Sequence, residues 1–289
     1  MLLDHADRAV TGSIADPAVL AAVAAVERFS VVLGSVDPVV LRAALQQGDR
    51  VETSTRVSAI VAQSLTQVQI GLARRAHGQP VDAGLVNHDA GSHGIATDAV
   101  LLRAAVRAAE RSYDEMPYYT LRYGERGARF ATSDSAWLLS LAVLDEARAI
   151  RQVDWLSRVL AARGMPSWLL ETHLVGLVAE VRTVADASAV GALPAAAESL
   201  ASARRRHVDD DLLSRADTWV LEALTAPPVP HTGALMAAAV ADVLGGLVTD
   251  DSSLMDWLTD PARLPSSAAA ALHQVRDVIR ERAMGPPDR

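Results

Sequence analysis

The sequence predicts an all-α protein. Apolar residues recur at helical spacing along nearly the whole chain, helix start and stop signals punctuate that pattern at short intervals, and no pair of alternating segments forms a strand hairpin. No internal repeat of fixed period is present.

Asp16-Pro17 and Asp37-Pro38 each set a capping acid before a proline at the first helical position, which predicts helices near 17–34 and 38–47. Residues 53–77 read as a long amphipathic helix with Val57, Ile60, Val61, Leu65, Val68 and Leu72 on one side. Gly78, Pro80, Gly84, Gly91 and Gly94 then open a loop over 78–95. Helix resumes over 97–116, and Pro117 stops or kinks it. After a helical or mixed stretch at 118–131, Ser133-Asp134-Ser135 offers a cap for a short helix at 135–143. A helix over 145–163 closes at Gly164, and Met165-Pro166-Ser167 turns into one over 167–187. Further helices are expected near 194–206, 209–225, 232–247 and 266–283. The breaks between them fall at Pro227-Pro228-Val229-Pro230 and at the acidic turn Thr249-Asp250-Asp251.

Composition narrows the chemistry. With no cysteine, disulfides, thiolate nucleophiles, iron–sulfur clusters, Cys-zinc sites and thioether-linked cofactors are excluded. All 27 basic residues are Arg, so Schiff-base chemistry and a phosphate-binding loop lysine are excluded too. A net charge of -8 disfavours nucleic acid. No stretch reaches the roughly 18 uncharged apolar residues of a membrane span. Even the run from Gly233 to Val248 is interrupted by Asp242, so no membrane partner is expected. The amino terminus lacks a basic segment followed by an apolar one, and a cytoplasmic location is the expectation.

All four tyrosines, Tyr113, Tyr118, Tyr119 and Tyr123, lie within 11 residues, followed by Arg122, Arg126, Arg129, Phe130, Asp134 and Trp137. Arg pairs carboxylates bidentately and Tyr offers a ring face with a donor tip, so this segment can clamp a carboxylate-bearing π-system. Gly124 and Gly127 suggest close approach of the backbone to something flat or bulky. The same residues equally fit an irregular helix junction with aromatic packing and solvent-facing Arg–Glu pairs. In the glycine-rich loop, His88-Asp89 resembles the pair that names a group of metal phosphohydrolases, but Pro80, Asp82 and Gly84 stand where an apolar helix should precede it. A generic loop, with His88 or His93 capping a backbone group, is the alternative. His173 is a candidate axial ligand or a boundary residue with a satisfied hydrogen bond. Arg204-Arg205-Arg206-His207 followed by Asp209-Asp210-Asp211 matches the dipoles of two successive helices and needs no ligand.

Two stretches resemble the phycobiliprotein branch of the globin-like fold. Asp37-Pro38-Val39-Val40-Leu41-Arg42, Gly48-Asp49-Arg50 and the helix Thr55–Gln63 resemble its early helices. Asp154-Trp155-Leu156-Ser157-Arg158-Val159-Leu160, followed by Gly164-Met165-Pro166, resembles its last helix pair. The resemblance covers residues 37–187. It implies a globin-like ligand-binding domain over 1–190 and a helical extension over 191–289 serving as cap, dimer surface or output. It also implies a linear tetrapyrrole beside Gly127–Trp137, with Asp134 on the pyrrole N–H groups. The attaching Cys of that family is missing, so a biliverdin-like bilin would be held non-covalently. Within this reading Arg122, Arg126 and Arg129 face propionates and Tyr118, Tyr119, Tyr123, Phe130 and Trp137 surround the rings. The function implied is binding or sensing, as a photoreceptor or sensor, rather than catalysis, in a homodimer. The alternatives are haem binding through His173 or His93, a ligand-free helical dimerisation protein, and a metal hydrolase using His88 and Asp89.

Overall fold

The computed structural model describes residues 96 and 98–285, with the backbone alone at 99, 125, 126, 129, 130 and 133. The helices expected near 17–34, 38–47 and 53–77, the early-helix half of the family resemblance, and the loop carrying His88, Asp89 and His93 lie outside the described residues. Every regular element among those described is helical: α1 (Ala99–Glu115), α2 (Pro117–Ser140), α3 (Glu146–Ala161), α4 (Ser167–Arg182), α5 (Leu193–Arg205), α6 (Asp210–Ala223), α7 (Thr232–Leu244), α8 (Ser252–Leu258) and α9 (Ser266–Met284). Single 3-10 turns occupy Leu141–Val143 and Ala187–Val190. No helix among the described residues is long and apolar enough to cross a membrane.

These helices form two compact units. One holds 98–110, 123–143 and 179–190; the other holds 111–122, 144–178 and 191–285. The boundary expected at residue 190 is one of several points where the chain passes between units. The last hundred residues therefore share a unit with α3 and most of α4.

In the first unit, Asp98 starts α1 by accepting from the N–H groups of Val100 (2.7 Å) and Leu101 (3.1 Å). Leu102, Ala104, Ala105, Ala108 and Ala109 form its buried stripe. Arg107 reaches Glu180 on α4 at 3.0 Å. The cap expected at Ser133-Asp134-Ser135 is not used, because α2 runs straight through it. Ser135 turns its hydroxyl back to the carbonyl of Ala131 at 2.7 Å, so it bonds within the helix instead of starting a new one. The break in α2 comes earlier, at Gly124, with φ 56° and ψ -154°. A Cβ built there would meet nothing within 4 Å, so what calls for glycine at this point is the backbone angle.

In the second unit, Asp145 caps α3 by accepting from Arg148 N–H at 2.9 Å. α3 ends as expected at Gly164: Met165 N–H donates to Leu160 (3.0 Å) and Gly164 N–H to Ala161 (2.8 Å), the paired bonds of a Schellman close, with Gly164 at φ 79°. Asp209 caps α6 through Leu212 N–H at 2.7 Å. α7 is buried from Thr232 to Asp242. Its small residues let it lie directly on α6, where a Cβ on Gly233 would strike the backbone of Ala216. It also packs against α9, α5 and α8, and α9 contributes Leu272, Val275 and Ile279. α8 follows the expected acidic turn and was not itself expected, because seven residues are too few to display a helical stripe in sequence.

Candidate functional site

Tyr118, Tyr119 and Arg122 lie in the second unit and are built into its interior. Tyr118 is fully buried and its hydroxyl donates to the Gly164 carbonyl. One turn on, Arg122 Nη1 donates to the Tyr118 hydroxyl (2.7 Å) and to Gly164 O (3.3 Å). Its Nη2 donates to Arg163 O (3.0 Å), Ser253 O (2.7 Å) and Ser253 Oγ (3.1 Å). The guanidinium therefore sits against the carbonyl end of α3, where a cation offsets the helix dipole. Gly164 is required twice over, by its positive φ and because a Cβ would collide with this guanidinium. Trp257 of α8 completes the joint, edge-on to Tyr118 at 5.2 Å and overlain by Arg263 at 3.7 Å. Tyr119 stacks on Tyr113 at 5.0 Å and directs its hydroxyl to Leu169 O. These contacts place Tyr118, Tyr119 and Arg122 at a helix junction, with the arginine on backbone carbonyls.

Tyr123, Asp134 and Trp137 belong to the first unit. Asp134 sits in the middle of α2 and Trp137 is buried. Arg126, Arg129 and Phe130 are placed along α2 by their backbone only. His173 is half-buried on α4 and shares a 2.8 Å hydrogen bond between Nδ1 and Ser112 Oγ. Desolvation lowers its pKa to about 4, so the ring is neutral near pH 7, as a satisfied boundary histidine would be.

The second unit contains a cavity of about 400 Å³ that the tyrosine cluster does not line. Arg158 and Ala161 of α3 with the capping residue Ala162 form one wall, the Gly164–Pro166 corner another, Ala239 and Asp242 of α7 the floor, and residues 247–254 the remaining side. Asp242 is 4% exposed. It accepts from Ser167 N–H at 2.8 Å and from the Ser167 hydroxyl, so an acid 75 residues distant caps the first turn of α4. Burial raises its pKa to about 6, the Ser167 bonds oppose that rise, and the Glu171 carboxylate adds to it.

Glu171 is itself held by Arg204, which is 3% exposed and donates through Nε and Nη2 at 2.9 Å each. Nη2 also reaches Asp210 at 2.6 Å, and Nη1 donates to Val208 O. Burial works against the charge on Arg204, but the bonds to Glu171 and Asp210 outweigh it and hold the guanidinium above its usual pKa. The basic end of α5 and the acidic start of α6 are thus structural, with one arginine turned inward.

On the open side, Asp250 accepts from Ser252 N–H (3.0 Å), the Ser252 hydroxyl and Thr249 Oγ1 (3.2 Å). The Ser252 hydroxyl holds its carboxyl below the usual range. Asp251 faces Arg276 at 3.5 Å, and Arg158 pairs with Asp154 at 3.1 Å along α3. The cavity thus gathers hydroxyls and carboxyls, with no imidazole in its lining. The sequence did carry a trace of it, since Asp242 is the one charged residue in an otherwise apolar helix. Compared with known proteins, the chain matches no family model, no curated protein and no solved structure.

Proposed function

We infer that the chain is a helical binding protein for a small polar molecule, and that its site is the cavity between α3, α7 and residues 247–254. The observation that carries this reading is the cavity itself, about 400 Å³ with a buried carboxyl on its floor. Small-molecule sites fall between about 300 and 1,000 Å³ and carry a few convergent polar groups. Asp242 supplies such a group on a rigid helix, and Thr249, Ser252 and Ser253 supply hydroxyls from the facing segment. The tetrapyrrole reading asks more of the molecule, because Arg122 would have to leave its carbonyl partners to face a propionate. An absorption spectrum after reconstitution with biliverdin and with haem tests it, and no pigment is expected to be retained.

A thermal-shift screen of small polar fragments against the wild type and Ala162→Trp tests the cavity. Ala162 is exposed at the rim, so the indole should obstruct the entrance without disturbing the core. Fragments that stabilise the wild type and lose their effect in the variant support the reading. Fragments that stabilise both proteins equally contradict it.

A further inference from the structure

The ligand class depends on what the lining of this cavity leaves unused, and it rests on the binding reading above. The charged groups are paired within the protein. Asp242 accepts from Ser167, Asp250 accepts from Ser252 and Thr249, and Asp251 faces Arg276 at 3.5 Å. The guanidinium groups are committed as well: Arg158 to Asp154 at 3.1 Å, Arg276 also to Asp277 at 2.8 Å, and Arg122, bonded to Gly164 and Ser253 of the lining, to backbone carbonyls. A charged ligand would shed its water here and meet no counter-charge in want of a partner. An uncharged one loses less, and Ala239, Leu247, Val248 and Leu254 give its apolar part a wall.

One hydroxyl of the lining differs from its neighbours. Thr249 and Ser252 give their hydroxyl protons to Asp250. Ser253 Oγ accepts from Arg122 Nη2 at 3.1 Å, and among the described residues its own O–H meets no acceptor. A hydroxyl that accepts from a guanidinium is polarised into a stronger donor. Arg122 also holds the Ser253 carbonyl at 2.7 Å, so this donor is positioned on the cavity wall before a ligand arrives. The carboxylates nearby are acceptors, and each of their oxygens takes more than one bond, so a molecule that joins a carbonyl oxygen to N–H groups matches both. We propose that the cavity takes an uncharged carboxamide, whose carbonyl oxygen accepts from the Ser253 hydroxyl.

Three probes of one shape separate the possibilities by isothermal titration calorimetry on the full chain near neutral pH: benzamide, benzoate and benzamidinium. Benzamide should bind at least tenfold more tightly than either ion. Ser253→Ala should weaken benzamide about fivefold, the worth of one hydrogen bond between uncharged groups. Ser253→Thr keeps the hydroxyl and should restore the affinity. Equal losses in the two variants, or no loss in Ser253→Ala, would remove the Ser253 contact. Preference for benzoate or benzamidinium leaves the cavity as a binding site and overturns the uncharged class. Absence of binding by all three at millimolar concentration overturns both the carboxamide and the cavity as a site.

Discussion

Single residues in this protein carry functions that their type alone does not announce. Gly164 closes α3, sits at φ 79° and leaves room for the Arg122 guanidinium. Gly164→Ala should therefore cost more than the roughly 1–2 kcal/mol of a left-handed Ala, since Arg122 is displaced as well. Urea unfolding measures it, and a loss within about 0.5 kcal/mol, typical of an unremarkable surface change, would contradict the joint. Arg204→Met leaves Glu171 buried without its partner and should cost about 3–5 kcal/mol, whereas Arg204→Met with Glu171→Leu should recover much of that loss. Asp242 and His173 give pH dependences of opposite sign. Asp242 has its folded pKa raised to about 6, so its contribution is fully present below its ordinary value of 3.8 and is lost as pH rises through about 6. Asp242→Asn should gain on the wild type across that interval. His173 has its folded pKa lowered to about 4, so stability falls as pH drops from 6.5 toward 4, and His173→Gln should gain in that direction. Urea midpoints of the two variants and wild type over this range check both signs, and parallel curves would contradict them.

At the scale of elements, what was legible in the sequence had local causes. α3 could be read at both ends because Asp145 and Gly164 act on the residues beside them, and α6 at its start because Asp209 does the same. The short helix α8 could not be read, since seven residues do not show a period. Nor could the run of α2 through Ser133-Asp134-Ser135, where the choice between capping and bonding back to Ala131 is made by the surrounding helix. The candidate site showed in the sequence only as the lone charge of Asp242, because that residue acquires its role from Ser167, 75 residues away. The tyrosine and arginine cluster was visible, but its partners, Gly164 and Ser253, were not. Close packing of α7 on α6 is likewise a tertiary property, concentrated at Gly233. Gly233→Ala forces the helices apart at the Ala216 backbone and should cost about 1–3 kcal/mol, as overpacked cores do. A thermal midpoint equal to that of the wild type would show that the helices yield there freely.

At the scale of the whole molecule, the C-terminal hundred residues depend on what precedes them. Asp242 needs Ser167, Arg204 needs Glu171, and Ser253 receives Arg122. Residues 192–289 expressed alone should therefore unfold without a cooperative transition, seen by far-UV circular dichroism on heating. A sharp transition of that fragment as a monomer would contradict the dependence. The same dependence is what builds the cavity, because its walls come from α3, the corner before α4, α7 and the segment after it. Amide shift mapping of the full chain with a polar fragment that stabilises it in the thermal-shift screen tests the central claim most directly. The shifts should concentrate at residues 158–166 and 242–254. Shifts centred on Tyr118 to Trp137 in their place, or no localised shift at saturating fragment, would contradict it.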